Sequence, residues 1–189
     1  MRETKINRKT KETDIELYLN IDGGNTVEID TGIPFFDHML CSLSVHGGFD
    51  IKLKAKGDLE VDCHHTVEDV GIVLGQAMAE ILGDKKGIAR FGSALIPMDE
   101  ALSFCAIDFS GRPYLVFGAE FKNQFIGNFD TCMIEEFFRA FSSSALATLH
   151  IKNIYGSDDH HKAESMFKAL AYSLKQALSI TGKEIMSSK

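Results

Sequence analysis

The segment His64-His65-Thr66-Val67-Glu68 returns in the second half of the chain as His160-His161-Lys162-Ala163-Glu164. Each copy is a His-His-x-x-Glu sequence that opens an amphipathic helical pattern. Four of the seven histidines of the chain lie in these two segments, so chance is a poor explanation for the repeat. We interpret it as a duplicated metal site carried by a duplicated half-domain.

The spacing inside each segment predicts which side chains act together. Residues four positions apart lie on one face of a helix, so His64 and Glu68 can reach one ion, as can His160 and Glu164. The second histidine of each segment points about 100° away and is expected to serve another ion. Imidazole nitrogen and carboxylate oxygen suit zinc, manganese or iron. Helix-capping or solvated histidines are the alternative, which the second copy disfavours.

The repeat extends on both sides of the two segments. A helical pattern of about four turns follows each one, and Gly83 and Gly182 stand where a glycine cap is expected. A shorter helix and then a strand precede each segment, at 35–45 and 49–55 in the first half and at 131–146 and 148–154 in the second. Each half also begins with β-type alternation around a turn. The order β-β-α-β-α, with room for one extra strand, predicts α+β half-domains whose helices cover one sheet face.

The two halves, about 1–88 and 89–189, are expected to form a single domain. No Pro/Ser-rich linker separates them, and 189 residues with 44% hydrophobic content can bury one full core. The net charge of −7 argues against nucleic-acid binding, and no apolar run reaches membrane-spanning length. The polar start of the chain lacks a signal-peptide core, and the four cysteines form no CxxC pair. We therefore expect a cytoplasmic protein with reduced thiols.

Two further side chains extend the candidate ligand set to eight. His38 lies near the start of the first short helix, and the equivalent position in the second half falls at Glu135 or Glu136. Four donors for each of two ions would leave open positions on an octahedral ion, as catalysis requires. The predicted metal ligands are His38, His64, His65, Glu68, Glu136, His160, His161 and Glu164.

Several cations could bind an anionic substrate near these ligands. Lys168 lies one helical turn after Glu164, and the others are Arg90, Arg112 and Lys189. Together with serine, such side chains suit a phosphate, and the sequence contains no nucleotide-binding P-loop. Taken singly, each cation is more commonly a solvated surface charge. His46 could line the same site.

Six stretches of the chain form a specific set: GIPFFDHML at 32–40, CHHTVED at 63–69, MDEAL at 98–102, DFSGRP at 108–113, DHHKAES at 159–165 and the terminal SSK. Together they resemble the imidazoleglycerol-phosphate dehydratase family, and the likeness spans nearly the whole chain. The resemblance implies a lyase that dehydrates D-erythro-imidazoleglycerol phosphate to imidazole acetol phosphate in histidine biosynthesis.

The resemblance also implies a cofactor, a fold and an assembly. These are two manganese ions per active site, duplicated half-domains of the ribosomal protein S5 domain 2-like type with four-stranded mixed sheets, and a 24-subunit homo-oligomer built from trimers that share active sites. Many relatives have His where this chain has Glu136, which we still expect to bind metal. The implied substrate contacts are Glu12, His38, His46, His64, Glu68, Arg90, Arg112, His160, Lys168, Ser187, Ser188 and Lys189.

The implied reaction gives the metals a purpose. The C2 proton of the substrate is not next to a carbonyl, so its direct removal is difficult. Loss of the C3 hydroxyl from an imidazolate, through a diazafulvene intermediate, would make that proton acidic, and metal would stabilise the imidazolate and orient the hydroxyls. Glu164 or Glu68 could act as base, with Glu12 relaying protons.

Two other classes of protein remain as alternatives. A di-metal hydrolase would share the histidine and glutamate ligands, and a substrate assay would separate it. A non-catalytic metal-binding protein would not need the cationic set of Arg90, Arg112, Lys168 and Lys189.

Overall fold

Both halves of the chain fold with the same succession of strands and helices, to which the second half adds two short strands. The computed structural model describes residues 1–24 and 26–182. The first half contains β1 (Glu3–Lys9), β2 (Thr13–Asn20), β3 (Val27–Asp30), α1 (Pro34–Gly47), β4 (Asp50–Gly57) and α2 (His64–Leu82). The second contains β5 (Phe91–Met98), β6 (Ala101–Asp108), β7 (Tyr114–Gly118), the two-residue strands β8 (Phe125–Ile126) and β9 (Phe129–Asp130), α3 (Cys132–Ser144), β10 (Thr148–Tyr155) and α4 (Asp159–Ala177).

The two large sheets have equivalent topologies. Their strand orders are β1-β2-β4-β3 and β5-β6-β10-β7, and in each sheet the last pair is parallel while the others are antiparallel. Period-two alternation buries one face of each sheet, as Ile15, Leu17 and Leu19 of β2 illustrate. The predicted α+β fold, with duplicated four-stranded mixed sheets and helices on one face, is confirmed. The extra strand in each half is β1 or β5, and the boundary near residues 88 and 89 stays a prediction.

The helices of the two halves pack against each other between the sheets. Helix α2 covers β1, β2 and β4, and α4 covers β5, β6 and β10. Across the molecule, however, α1 packs on α4 and α2 packs on α3, so each helix pair combines the two halves. The buried apolar side chains of both halves form one continuous core. This packing of helices from different halves decides which candidate ligands lie close together.

Two glycines let α2 and α3 approach closely. A Cβ atom at Gly71 would lie 2.9 Å from the carbonyl oxygen of Phe137, and one at Gly75 would lie 2.6 Å from that of Phe141. Because the obstructing atoms belong to the backbone, a larger side chain would separate the helices. The close approach brings the helix that carries Glu136 against the helix that carries His64 and Glu68.

One of the two predicted glycine caps is wrong. Gly83 caps α2, but α4 ends at Ala177 with Leu178 as its cap, several residues before Gly182. The backbone N–H of Arg90 donates to the carbonyl of Ala177, so the returning chain satisfies a terminal helix carbonyl that a glycine motif would otherwise serve. Within the described part of the chain, no helix combines the length and hydropathy that a bilayer span requires.

Candidate metal centre

His38, His160 and Glu164 converge where α1 crosses α4. The Nε2 atoms of His38 and His160 lie 3.6 Å and 3.4 Å from Oε2 of Glu164, and the two imidazole rings are 5.4 Å apart between centroids. His160 and Glu164 share one face of α4, while the packing of α1 on α4 supplies His38. Two nitrogens and one oxygen this close form a donor set that suits a divalent transition metal.

Glu164 contacts a cation as well as the two histidines. Its Oε1 accepts a 2.9 Å ion-paired hydrogen bond from Nζ of Lys168, which also lies 3.3 Å from the sulfur of Met98. Burial raises the pKa of the Glu164 carboxyl, but Lys168 and then His38 and His160 outweigh that effect, so the pKa lies below its ordinary value. The carboxyl is therefore ionised at neutral pH, which is the form that binds metal.

His46 lies near the same cation, at the end of α1. Its ring is 5.7 Å from that of Tyr172 on α4. Burial lowers the pKa of His46, and the charge of Lys168 lowers it further. The structure thus brings Lys168 and His46 together beside the three-residue cluster.

The second histidine of each segment has a carboxylate on its Nδ1 atom. His65 Nδ1 lies 3.0 Å from Asp58, and its Nε2 lies 3.9 Å from Glu12. The hydrogen bond to Asp58 raises the pKa of His65. A carboxylate on one ring nitrogen fixes the ring orientation and leaves the other nitrogen as a potential ligand. This geometry suits the predicted role of His65 toward another ion.

His161 repeats this arrangement in the second half. Its Nδ1 lies 2.8 Å from Glu100 and its Nε2 lies 3.7 Å from Asp99. The other oxygen of Glu100 accepts from the backbone N–H groups of Ser157 and Asp158, which fixes it at the start of α4. These hydrogen bonds hold the pKa of Glu100 well below its usual range, and the one with His161 has the largest effect. The hydrogen bond between the two side chains also raises the pKa of His161.

The equivalent set of side chains on α2 and α3 is more open. His64 Nε2 lies 3.9 Å from Glu68, and Glu136 lies 3.7 Å from Arg139, which also pairs with Glu135. Glu136 is the fifth residue of α3, as His38 is of α1, so the structure makes Glu136 rather than Glu135 the counterpart of the histidine.

The eight predicted ligands do not close into two compact sites within one chain. Among residues 1–24 and 26–182, His38, His160 and Glu164 form the only group of three candidate ligands whose atoms all lie within 4.8 Å of one another. The assignment of all eight residues as metal ligands stays a prediction.

The predicted substrate-binding cations fall into separate places. Arg90 makes two hydrogen bonds to Asp108, of 2.7 Å and 3.1 Å, at the start of β5. Lys168 contacts Met98 at the other end of that strand, and the seven steps from Phe91 to Met98 span about 23 Å.

The two remaining predicted contact regions are the turn at Arg112 and the end of the chain. Arg112 is exposed in the turn that follows β6. The predicted contacts Ser187, Ser188 and Lys189 lie outside the described residues.

Sequence reasoning assigned no role to Asp58 or Glu100. Both lie in loops, and their contacts with His65 and His161 depend on how each sheet packs against its helix. Glu100 falls in the stretch MDEAL at 98–102, which was a usable signal, whereas nothing local distinguishes Asp58.

Comparisons with known proteins identify the family. The family model described as imidazoleglycerol-phosphate dehydratase matches residues 31–174. Proteins of that name from Methanosarcina mazei and Clostridioides difficile are 55% and 56% identical over 189 residues, which is all of this chain and 98% of each relative.

Solved structures agree as well. The crystal structure of the dehydratase from Staphylococcus aureus matches with a TM-score of 0.86 and 39% identity, covering 95% of this chain and 99% of that one. A Pyrococcus furiosus structure of the same family matches at 0.85 with 35% identity, covering 97% and 98%. The chain therefore belongs to the imidazoleglycerol-phosphate dehydratase family, which makes it a lyase of histidine biosynthesis.

Proposed function

We propose that this chain dehydrates D-erythro-imidazoleglycerol phosphate to imidazole acetol phosphate in the cytoplasm, using two manganese ions per active site. The observation that carries the proposal is the convergence of His38, His160 and Glu164 beside Lys168 in a member of this family. Metal ligands and a cation for a phosphate then lie in one place.

The donor atoms fit the proposed metal. Two imidazole nitrogens and a carboxylate oxygen within 4.8 Å of one another would hold one ion and leave positions open. His65 and His161, each with its Nδ1 fixed by a carboxylate, would contribute Nε2 to further coordination. Manganese, when bound, would supply a Lewis acid that stabilises negative charge on the imidazole ring of the substrate and orients its hydroxyls.

The side chains of this chain divide the remaining work. Glu164 is ionised and lies between two histidines and Lys168, so it can hold metal or accept a proton. Glu68 occupies the pseudo-equivalent position on α2. Glu12 lies 3.9 Å from His65 Nε2 and can relay a proton at that side of the substrate. Lys168 supplies a compact positive charge for the phosphate.

We also propose the 24-subunit assembly built from trimers, with active sites shared between neighbours. The separation of Arg90 from Lys168 along β5 supports sharing, because one small substrate cannot contact both within one chain. The exposed face of the second sheet carries Phe91 and Leu95, whereas the first sheet presents charged residues such as Lys52 at its outer face. Apolar side chains left exposed in this way mark association surfaces.

A direct assay tests the proposal. Purified protein would be stripped with chelator, reloaded with manganese and supplied with imidazoleglycerol phosphate, and imidazole acetol phosphate would be followed over time. We expect turnover only after reloading. Release of inorganic phosphate instead would identify a di-metal hydrolase. Full manganese content with no conversion would contradict the proposed activity and favour a non-catalytic metal-binding protein.

A further inference from the structure

The turn that carries Glu12 is held by a closed set of hydrogen bonds. Thr10 Oγ1 accepts from the backbone N–H of Glu12 at 3.1 Å and from that of Thr13 at 2.9 Å. The N–H of Thr10 in turn donates to the carbonyl of Thr13 at 2.9 Å. The backbone on both sides of Glu12 is therefore fixed.

This turn is fastened to α2 through Asp69. The buried carboxylate of Asp69 accepts hydrogen bonds from the hydroxyl of Thr13 and from the guanidinium of Arg8. Asp69 lies four residues after His65 and so shares its face of the helix. The same face thus carries the histidine that Glu12 approaches and the carboxylate that anchors the turn bearing Glu12.

The second half has no equivalent of this anchor. Ala101 opens β6 where Thr13 opens β2, and Ser165 follows Glu164 where Asp69 follows Glu68. Ser165 instead shares a 2.7 Å hydrogen bond with Ser103, whose hydroxyl lies in the sheet and not in the turn.

The corresponding turn holds its two acidic residues differently. Glu100, which precedes Ala101 as Glu12 precedes Thr13, lies 2.8 Å from Nδ1 of His161. Asp99 lies 3.7 Å from Nε2 of His161, as Glu12 lies 3.9 Å from that of His65, but its side chain is 76% exposed against 54% for Glu12. The metal ligands are duplicated, whereas the anchor is present only on the side of Glu12.

We propose that Asp69 and Thr13 are positioning residues that hold Glu12 beside His65, where Glu12 can relay a proton of the substrate. The inference rests on the proposed dehydratase function. A reacting group displaced by about 1 Å can lose about 10²-fold in rate, so a buried anchor beside the turn has a kinetic consequence. A purely structural anchor would stabilise the fold without acting through Glu12.

The variant Thr13→Val tests this inference because it removes the hydroxyl and keeps the shape. We expect kcat to fall about 10-fold with KM nearly unchanged, since the anchor acts through a proton-transfer group and not through phosphate binding. Amide exchange of Glu12 and Thr13 should become faster. Thr13→Ser, which keeps the hydroxyl, should restore kcat. Ser103→Ala is the matched control, since it removes a buried hydroxyl from the other half and should leave kcat unchanged.

A double-variant cycle separates positioning from stability. Thr13→Val should have no further effect on kcat when Glu12 is already Gln, because the anchor then has no group to position. Equal losses of kcat in both backgrounds, or normal kcat in Glu12→Gln alone, would overturn the proposal. Unchanged amide exchange in Thr13→Val would refute the anchor itself. Absence of dehydratase turnover in the unaltered, manganese-loaded protein would instead refute the proposed function on which it rests.

Discussion

At the scale of single residues, Glu164 combines two environments in one carboxylate. One oxygen faces His38 and His160, and the other accepts from Lys168. The ammonium of Lys168 keeps the carboxyl ionised despite its burial. Replacing Glu164 and replacing Lys168 therefore test different steps of the proposed reaction.

Glu164→Gln keeps the size of the side chain but removes its charge and its basicity. We expect kcat to fall by about 10²-fold or more, the usual contribution of a positioned general base. Manganese content must be measured on the same sample, because loss of metal would give the same kinetic result. A variant with full manganese and normal kcat would eliminate Glu164 as the base and direct attention to Glu68 and Glu12.

Lys168→Ala removes the cation proposed for the phosphate. We expect KM to rise more than kcat falls, since the loss concerns binding that the ground state and transition state share. Steady-state kinetics with the phosphorylated substrate provide the measurement. A fall in kcat at unchanged KM would mean that Lys168 acts only through its ion pair with Glu164 and does not bind the phosphate.

At the scale of elements, the packing of α2 on α3 depends on the absence of side chains at two positions. Gly75 is the tighter of the two, with a would-be Cβ atom 2.6 Å from the carbonyl oxygen of Phe141 and 2.8 Å from the N atom of Ala145. Replacing glycine with alanine stabilises an isolated helix by about 1 kcal/mol. At Gly75 the added Cβ atom would clash with fixed backbone atoms of α3, so we expect the substitution to destabilise the protein despite the better helix propensity of alanine.

Gly75→Ala should therefore lower the free energy of unfolding by about 1–3 kcal/mol, the usual cost of overpacking. Urea denaturation followed by circular dichroism would measure the change. Gly24→Ala is a suitable control, because no atom lies within 4 Å of the added Cβ. Unchanged stability in Gly75→Ala would mean that the two helices can separate without cost.

At the scale of the whole molecule, duplication has produced two sets of ligands that are equivalent in sequence but unequal in geometry. The set in α1 and α4 is compact, and the set in α2 and α3 is spread, with Glu136 beside Arg139. Completion of the sites by neighbouring subunits would make metal binding and assembly interdependent.

Metal analysis and native mass test this interdependence together. We expect about two manganese ions per subunit in the loaded protein, from four protein donors for each ion. Chelation should lower the native mass from the proposed 24-subunit particle toward trimers, because the metal stabilises the state that presents its ligands. Light scattering that shows an unchanged particle after complete metal removal, or a content of one ion or fewer, would count against the shared duplicated site.

Much of the fold and part of the site followed from local sequence periodicity. Period-two alternation marked the strands and four-residue spacing marked the helices, because both patterns report which side of an element is buried. The pairing of His160 with Glu164 on one helix face was predicted correctly for the same reason. The cap at Gly182 was not, because the end of α4 is satisfied by the backbone of Arg90 from a distant part of the chain.

The sequence by itself determined most of the elements, the duplication and the family, since each depends on residue order and local chemistry. Only the tertiary structure decided that His38 of the first half joins His160 and Glu164 of the second, because α1 packs on α4 across the molecule. It also decided that Arg90 and Lys168 lie at opposite ends of β5. Such contacts depend on how distant elements pack, and no periodicity within a single element carries that information.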